Sequence, residues 1–176
     1  APVEHMALNL GGPGDRKDAR DQLWIGYPRP KPSKATSLEV NIDIKAEFFP
    51  GGGYENLGEK STQVLGAETP WLFTSSANGL KKCTLPLLGE NDEPARFKAR
   101  LFFAAPQSAG EREFGIKLQN ELVVESIKVT TKALVQEFDN VAVEKDLTIE
   151  LVPTKENPTS ADLPLLNAIE IIRIAD

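Results

Sequence analysis

The chain has 176 residues, room for one domain with a sizeable core but not for two comfortable ones. Its 40% hydrophobic and 26% charged residues mark an ordinary globular chain rather than a disordered one, and a formal charge of −6 argues against non-specific nucleic-acid binding, which needs a cationic surface. A single cysteine, Cys83, excludes an intrachain disulfide, and no apolar run approaches the ~20 residues a membrane-spanning helix needs.

The first residues, Ala1-Pro2-Val3, carry neither Met nor the basic and apolar segments of a leader. The expectation is either a removed signal or a piece excised from a larger exported protein. Val3 to Leu10 hold an apolar run that stops at Gly11-Gly12-Pro13-Gly14, where glycine permits positive φ and a turn. Asp15 to Asp21 (DRKDARD) reads as a charged loop in preference to a single helical turn. Leu23 to Tyr27 predicts a short strand, closed by Pro28, Pro30 and Pro32. The basic piece Arg29 to Lys34 reads as a solvated loop.

Leu38 to Phe49 alternates apolar and polar residues as a half-buried strand does, and Pro50-Gly51-Gly52-Gly53 is expected to end it. Tyr54 to Thr69 reads as a long polar loop, Trp71 to Ser75 as a short aromatic strand, Leu80 to Leu88 as another, and Gly89 to Pro94 as a turn. Ala95 to Gln119 carries the clearest pattern. Phe97, Ala99, Leu101 and Phe103 share one face of a strand, Phe114, Ile116 and Leu118 one face of the next, with a polar loop at Pro106 to Glu111. Strands follow at Leu122 to Val129, Ala133 to Val141, Leu147 to Val152 and Leu165 to Ile174, with a turn at Lys155 to Ser160. The last strand has no clean face, as expected of one covered on both sides. Ten to twelve short strands without an amphipathic helix predict a sandwich or a barrel.

Three stretches stand together in order. LNLGGP (Leu8 to Pro13) is followed by Trp24, RFKARLFFAAP (Arg96 to Pro106) by REFGIKLQNELVVESI (Arg112 to Ile127), and DLTIELVPTK (Asp146 to Lys155) by LPLLNAIEI (Leu163 to Ile171). In this combination the chain resembles the malectin and malectin-like carbohydrate-binding family over most of its length, least between Pro28 and Glu68. The resemblance implies an all-β, jelly-roll-like antiparallel β-sandwich spanning residues 1–176 as a single non-catalytic domain. It implies a ligand class too: oligosaccharide or glycan held by loops at one end, in an extracellular, periplasmic or cell-envelope setting, with other domains of a parent protein as further partners. Three departures stand out. Ala105 occupies a position where the family often has an acid, Phe114-Gly115-Ile116 stands where the family has Phe-Asp-Val, and the loop Pro106 to Glu111 lacks the sugar-stacking aromatics that malectin places there.

Sugar binding needs flat apolar faces for the C–H side of a pyranose and fixed planar polar groups for its hydroxyls. Trp24, Tyr27, Tyr54 and Trp71 are the aromatic candidates, with core or rim packing as the competing role for each. Asn9, Gly11 and Gly12 match the family's N-terminal motif, though the glycines could serve only the turn. Asp162 precedes the last strand, where malectin has a sugar-contacting acid; a turn-capping role competes.

No cofactor is expected. A structural calcium ion at Asp15, Asp18 and Asp21 is conceivable from the acid spacing, which does not follow the EF-hand pattern; a solvated loop is preferred. His5 is the only histidine and no Gly-x-Ser-x-Gly elbow exists, so no enzyme is expected, and Cys83 in a strand pattern reads as a buried inert thiol. The reading that follows is a carbohydrate-binding module, with a structural or protein-interaction sandwich that has lost its sugar site as the alternative.

Overall fold

The computed structural model describes residues 2–29, 43–59, 64–106 and 111–175. The N-terminal part of the expected strand at Leu38 to Phe49, the basic piece beyond Arg29 and the middle of the Pro106 to Glu111 loop lie outside them.

The described residues form twelve strands. They are β1 (His5–Leu10), β2 (Arg16–Lys17), β3 (Leu23–Tyr27), β4 (Lys45–Asn56), β5 (Ser75–Pro86), β6 (Ala95–Phe103), β7 (Arg112–Leu118), β8 (Glu121–Val129), β9 (Leu134–Val143), β10 (Asp146–Pro153), β11 (Leu165–Leu166) and β12 (Ala168–Arg173). One sheet runs β2-β3-β1-β12-β6-β9; the other runs β11-β5-β10-β7-β8, with β4 added along β5. Every pairing is antiparallel except β1 with β3, which run parallel with Leu8 opposite Ile25. The fold is a β-sandwich.

Alternation explains the core. Phe97, Ala99, Leu101 and Phe103 of β6 and Phe114, Ile116 and Leu118 of β7 turn their side chains between the sheets and are buried, as are Leu8 and Leu10 of β1 and Ile169 and Ile171 of β12. Phe103 and Phe114 meet across the sandwich at 5.6 Å between ring centroids. Each of the Phe, Leu and Ile side chains among them contributes roughly 1.5–3 kcal/mol on leaving water. A second cluster lies outside the first sheet: Ala7, Trp24, Phe102 and Ala168 are covered there by Leu72 and Phe73.

Four expectations are corrected. Pro50-Gly51-Gly52-Gly53 does not end its strand; β4 continues to Asn56 through two register shifts. It pairs only with β5, so a residue lacking N–H can face outward, and the irregularities absorb the misfit. Trp71 to Ser75 is not a strand. Pro70 opens a 3-10 turn over Pro70–Phe73, and β5 begins at Ser75. The charged loop Asp15 to Asp21 contains the two-residue strand β2.

The last correction concerns Leu165 to Ile174, which is not one strand. β11 belongs to the second sheet and β12 to the first, and Asn167 sits between them, 1% exposed. Its Nδ2 donates to the carbonyls of Phe73 (3.3 Å) and Ser75 (2.9 Å), and its Oδ1 accepts the Ala104 N–H (2.8 Å). Its own N–H reaches Phe102 O and its carbonyl accepts Leu10 N–H, each at 2.9 Å. A chain leaving one ladder for another exposes backbone groups, and this amide satisfies them.

The two ends of the sandwich differ. At one, β7 and β8 are joined by Gln119 and Asn120 alone, with φ of 52° and 64°, the geometry of a two-residue type I′ turn. At the other lie the turn that follows β1 and the described stretches that follow β4, β6 and β10.

Candidate functional site

At the long-loop end, β1 alternates inward Leu8 and Leu10 with outward Ala7 and Asn9. Asn9 is 2% exposed because the chain around Trp71 to Ser75 covers it. Its Oδ1 accepts the Ser75 hydroxyl at 3.0 Å, which fixes the amide plane, while its Nδ2 makes no hydrogen bond. Asn9 lines a pocket of about 120 Å³ with Trp71, Arg16, Thr74, Asn56 and Glu59.

The two glycines after β1 have separate functions. Gly11, with φ of +75°, packs so tightly that a Cβ would stand 2.4 Å from Glu55 O and 2.9 Å from Ser76 O. Gly12 instead leaves room for the Asn9 amide: a Cβ there would meet Asn9 Nδ2 at 2.6 Å. Gly12 N–H closes the turn onto Asn9 O at 3.1 Å.

Trp71 is partly exposed on the 3-10 turn, anchored by the Thr74 hydroxyl on its carbonyl at 3.1 Å. The Arg16 guanidinium lies over its ring, 4.7 Å from the centroid, and donates to Glu59 at 2.5 Å. Both members of this ion pair are about half exposed, so it holds the lid of the pocket weakly.

A larger cleft, about 580 Å³, opens on the outer face of the first sheet. Trp24 and Phe102 lie in its floor, edge to face at 5.3 Å. Asp18 holds Trp24 by accepting its Nε1–H at 3.1 Å and also accepts the N–H groups of Arg20 and Gln22. Burial acts to raise the Asp18 carboxyl, but the donors of Trp24, Gln22 and Arg20 outweigh it and hold it below the usual carboxylate range. Arg100 lies over Phe102 and donates to Glu170 at 2.7 Å; Glu170, 6% exposed, also contacts His5 Nε2 at 3.0 Å. Arg20 and Glu68 pair across the rim.

The structure thus brings Asn9 and Trp71 together and sets Gly11 and Gly12 behind them. Trp24 is almost fully buried in the neighbouring cleft. Tyr27 and Tyr54 pack on each other at 5.8 Å, Tyr27 donating to Ile44 O at 3.1 Å and Tyr54 touching Phe48, and neither lines the Asn9 pocket. Burial pushes the Tyr54 phenol up, with the neighbouring Tyr27 adding to the shift. Asp162 caps its own loop, bound to Lys155 (3.0 Å) and Thr159 Oγ1 (2.9 Å), which hold its carboxyl low. It lines a separate pocket beside Arg112.

Asp15 and Asp21 do not join Asp18. Asp15 accepts from Gly26 N and Arg29, Asp21 pairs with Lys17, and no group of three or more metal-ligating side chains forms among the described residues. Arg16, Glu59, Arg100 and Glu170 are site-lining residues that sequence reading missed. Arg16 was hidden in a charged run, and Arg100 and Glu170 meet only through a pairing 70 residues apart.

The fold is shared with several solved structures. It is similar to Bacteroides uniformis β-glucuronidase 2 (TM-score 0.68, 17% identity, covering 97% of this chain and 18% of that one). It is also similar to the ANXUR1 extracellular domain from Arabidopsis thaliana (TM-score 0.63, 13%, covering 97% and 42%) and to the plant receptor-like kinase FER (TM-score 0.59, 17%, covering 98% and 43%). The chain therefore spans about a fifth to two fifths of the structures it matches. No family model matches the chain, and no curated protein matches its sequence. The likeness to malectin-like domains stands at the level of the fold.

Proposed function

We propose that this chain is a non-catalytic carbohydrate-binding module whose recognition pocket lies between Asn9 and Trp71. One observation carries the reading. Asn9 is almost fully buried, clamped through Oδ1, and presents an unbonded Nδ2 donor to a pocket that also holds a partly exposed indole. The Nδ2 faces the pocket, and because the amide plane is already fixed by Ser75, a sugar hydroxyl or ring oxygen can accept from it with little ordering cost. The indole offers the flat apolar surface that the C–H face of a pyranose requires.

The two less exposed carboxylates of the larger cleft, Asp18 and Glu170, do not support catalysis. Asp18 is saturated by three N–H donors and held ionised, so it cannot serve as a general acid, and the Glu170 oxygens are engaged by Arg100 and His5. An extracellular or envelope setting within a larger protein is the context we infer; the neighbours that are ectodomains, and the short share of their length that this chain covers, support it. Among the described residues no helix is long and apolar enough to cross a membrane.

Isothermal titration against neutral mono- and oligosaccharides tests the reading. Wild-type chain is expected to bind at least one, and Asn9→Ala and Trp71→Ala each to abolish the signal while retaining the fold by circular dichroism. Arg16 over the Trp71 ring favours a second reading, a protein-interaction sandwich whose sugar site is closed. Flat titrations across all sugars, with Arg16→Ala equally silent, would favour that reading.

A further inference from the structure

We propose that the cleft over Trp24 is a second subsite of the same surface, accepting further residues of a neutral, hydroxyl-rich oligosaccharide whose terminal sugar occupies the Asn9 pocket. This rests on the carbohydrate reading above.

Contiguity is the first support. Arg16, on the rim of the Asn9 pocket, is the direct cross-strand partner of Trp24, in the cleft floor. Opposed residues of antiparallel strands stand on one face with Cβ atoms about 5 Å apart. The neighbours Trp71 and Leu72 likewise line one pocket each. The two depressions are therefore neighbours on one surface, with Arg16 and Trp71 on one and Trp24 and Leu72 on the other.

Size and chemistry are the second. At about 580 Å³ the cleft falls in the range of pockets that hold drug-sized ligands, whereas the Asn9 pocket, at about 120 Å³, has room for little more than one ring. The polar groups of the cleft are already fixed. The Arg100 guanidinium is stacked on Phe102, tied to Glu170 through Nη1 and 3.6 Å from Glu137 through Nε, and its Nη2 makes no hydrogen bond. Asp18 is held by its three donors. Planar groups ordered before the ligand arrives lose little entropy on binding.

Charge selects the class. The carboxylates of Asp18, Glu68 and Glu170 outnumber the guanidiniums of Arg20 and Arg100 along the lining. An anionic sugar finds no surplus cation there, while the exposed Glu68 carboxylate and the Arg100 Nη2 remain to accept from and donate to neutral hydroxyls.

The test is a length ladder. Gluco-, manno- and galacto-oligosaccharides of one to five residues are titrated into the chain, with the Trp24 indole N–H followed by NMR. In the series that binds, affinity is expected to rise about tenfold or more from monosaccharide to tetrasaccharide, with Trp24 shifting only for the longer members. Val135→Trp, placed on a lining residue 39% exposed, is expected to fill the cleft and flatten the ladder without changing monosaccharide affinity. Arg20→Ala, on an exposed pair, is expected to weaken only the longer sugars. An oligo-glucuronate series is expected to show no gain with length. Asn9-dependent binding that does not grow with length, or that grows equally in Val135→Trp, overturns the second subsite alone. Silence of every sugar overturns both readings.

Discussion

Asn167 Oδ1 accepts the backbone N–H of Ala104 at 2.8 Å, at the place where the chain crosses from one sheet to the other. The same amide donates to Phe73 O and Ser75 O, so one side chain ties the 3-10 turn, the start of β5 and the end of β6 to the corner between β11 and β12. Asn167→Ala leaves three buried backbone groups unpaired, and we expect it to destabilise the fold by about 2–4 kcal/mol in urea unfolding. Asn167→Asp should be at least as harmful, because it sets an acceptor against two carbonyls. A loss under ~1 kcal/mol for both would mean that water replaces the amide.

The adjacent glycines should separate folding from binding. Gly11→Ala forces a Cβ into Glu55 O at positive φ and is expected to cost about 2 kcal/mol or more. Gly12→Ala presses on Asn9, its amide at 2.6 Å and its carbonyl at 3.1 Å, so the fold should persist with a smaller shift in Tm while sugar binding falls. Equal effects of the two changes on Tm, or full binding by Gly12→Ala, would refute this division.

Acid should loosen Trp24 late. The Asp18 carboxyl is depressed below 3.8, so its stabilising contribution is complete above that value and is lost as pH falls through the lower folded value. The Trp24 Nε1–H resonance should titrate with a midpoint below 3.8 in wild type and stay flat in Asp18→Asn. A midpoint above that value would contradict the three-donor geometry.

Cys83 is 2% exposed, and burial pushes its thiol up to about 12. At pH 8 it should resist iodoacetamide in the native chain and react at a rate set by unfolding, rising with added urea. Rapid labelling without denaturant would show that β5 opens locally.

Much of the sandwich could be read before the structure, because β6 and β7 bury one face each and alternate accordingly. Legibility failed where one element answers to two environments. Leu165 to Ile174 looked double-sided because its halves belong to different sheets, and only the polar Asn167 among apolar neighbours marked the seam. Pro50 to Gly53 mimicked a terminator because local turn chemistry does not reveal that β4 is an edge. Of the candidate pocket, Asn9 and Trp71 could be named from composition and the resemblance, with Gly11 and Gly12 behind it. Arg16 was not: a two-residue strand has no period to detect, and its ring partner lies far along the chain. Tyr27 and Tyr54 show the converse, turn-adjacent aromatics that tertiary packing turned against each other.

The pairing of β1 with β12 places Glu4 against Arg173, backbone N–H to carbonyl at 2.8 Å, while Ile174 reaches Arg96. Both ends of the sandwich strand pair therefore emerge side by side at the pole of short turns, a full strand length from Asn9. The Asn9 pocket and the paired ends of β1 and β12 thus stand at opposite poles of the sandwich, so substitutions at one pole can be read without touching the other.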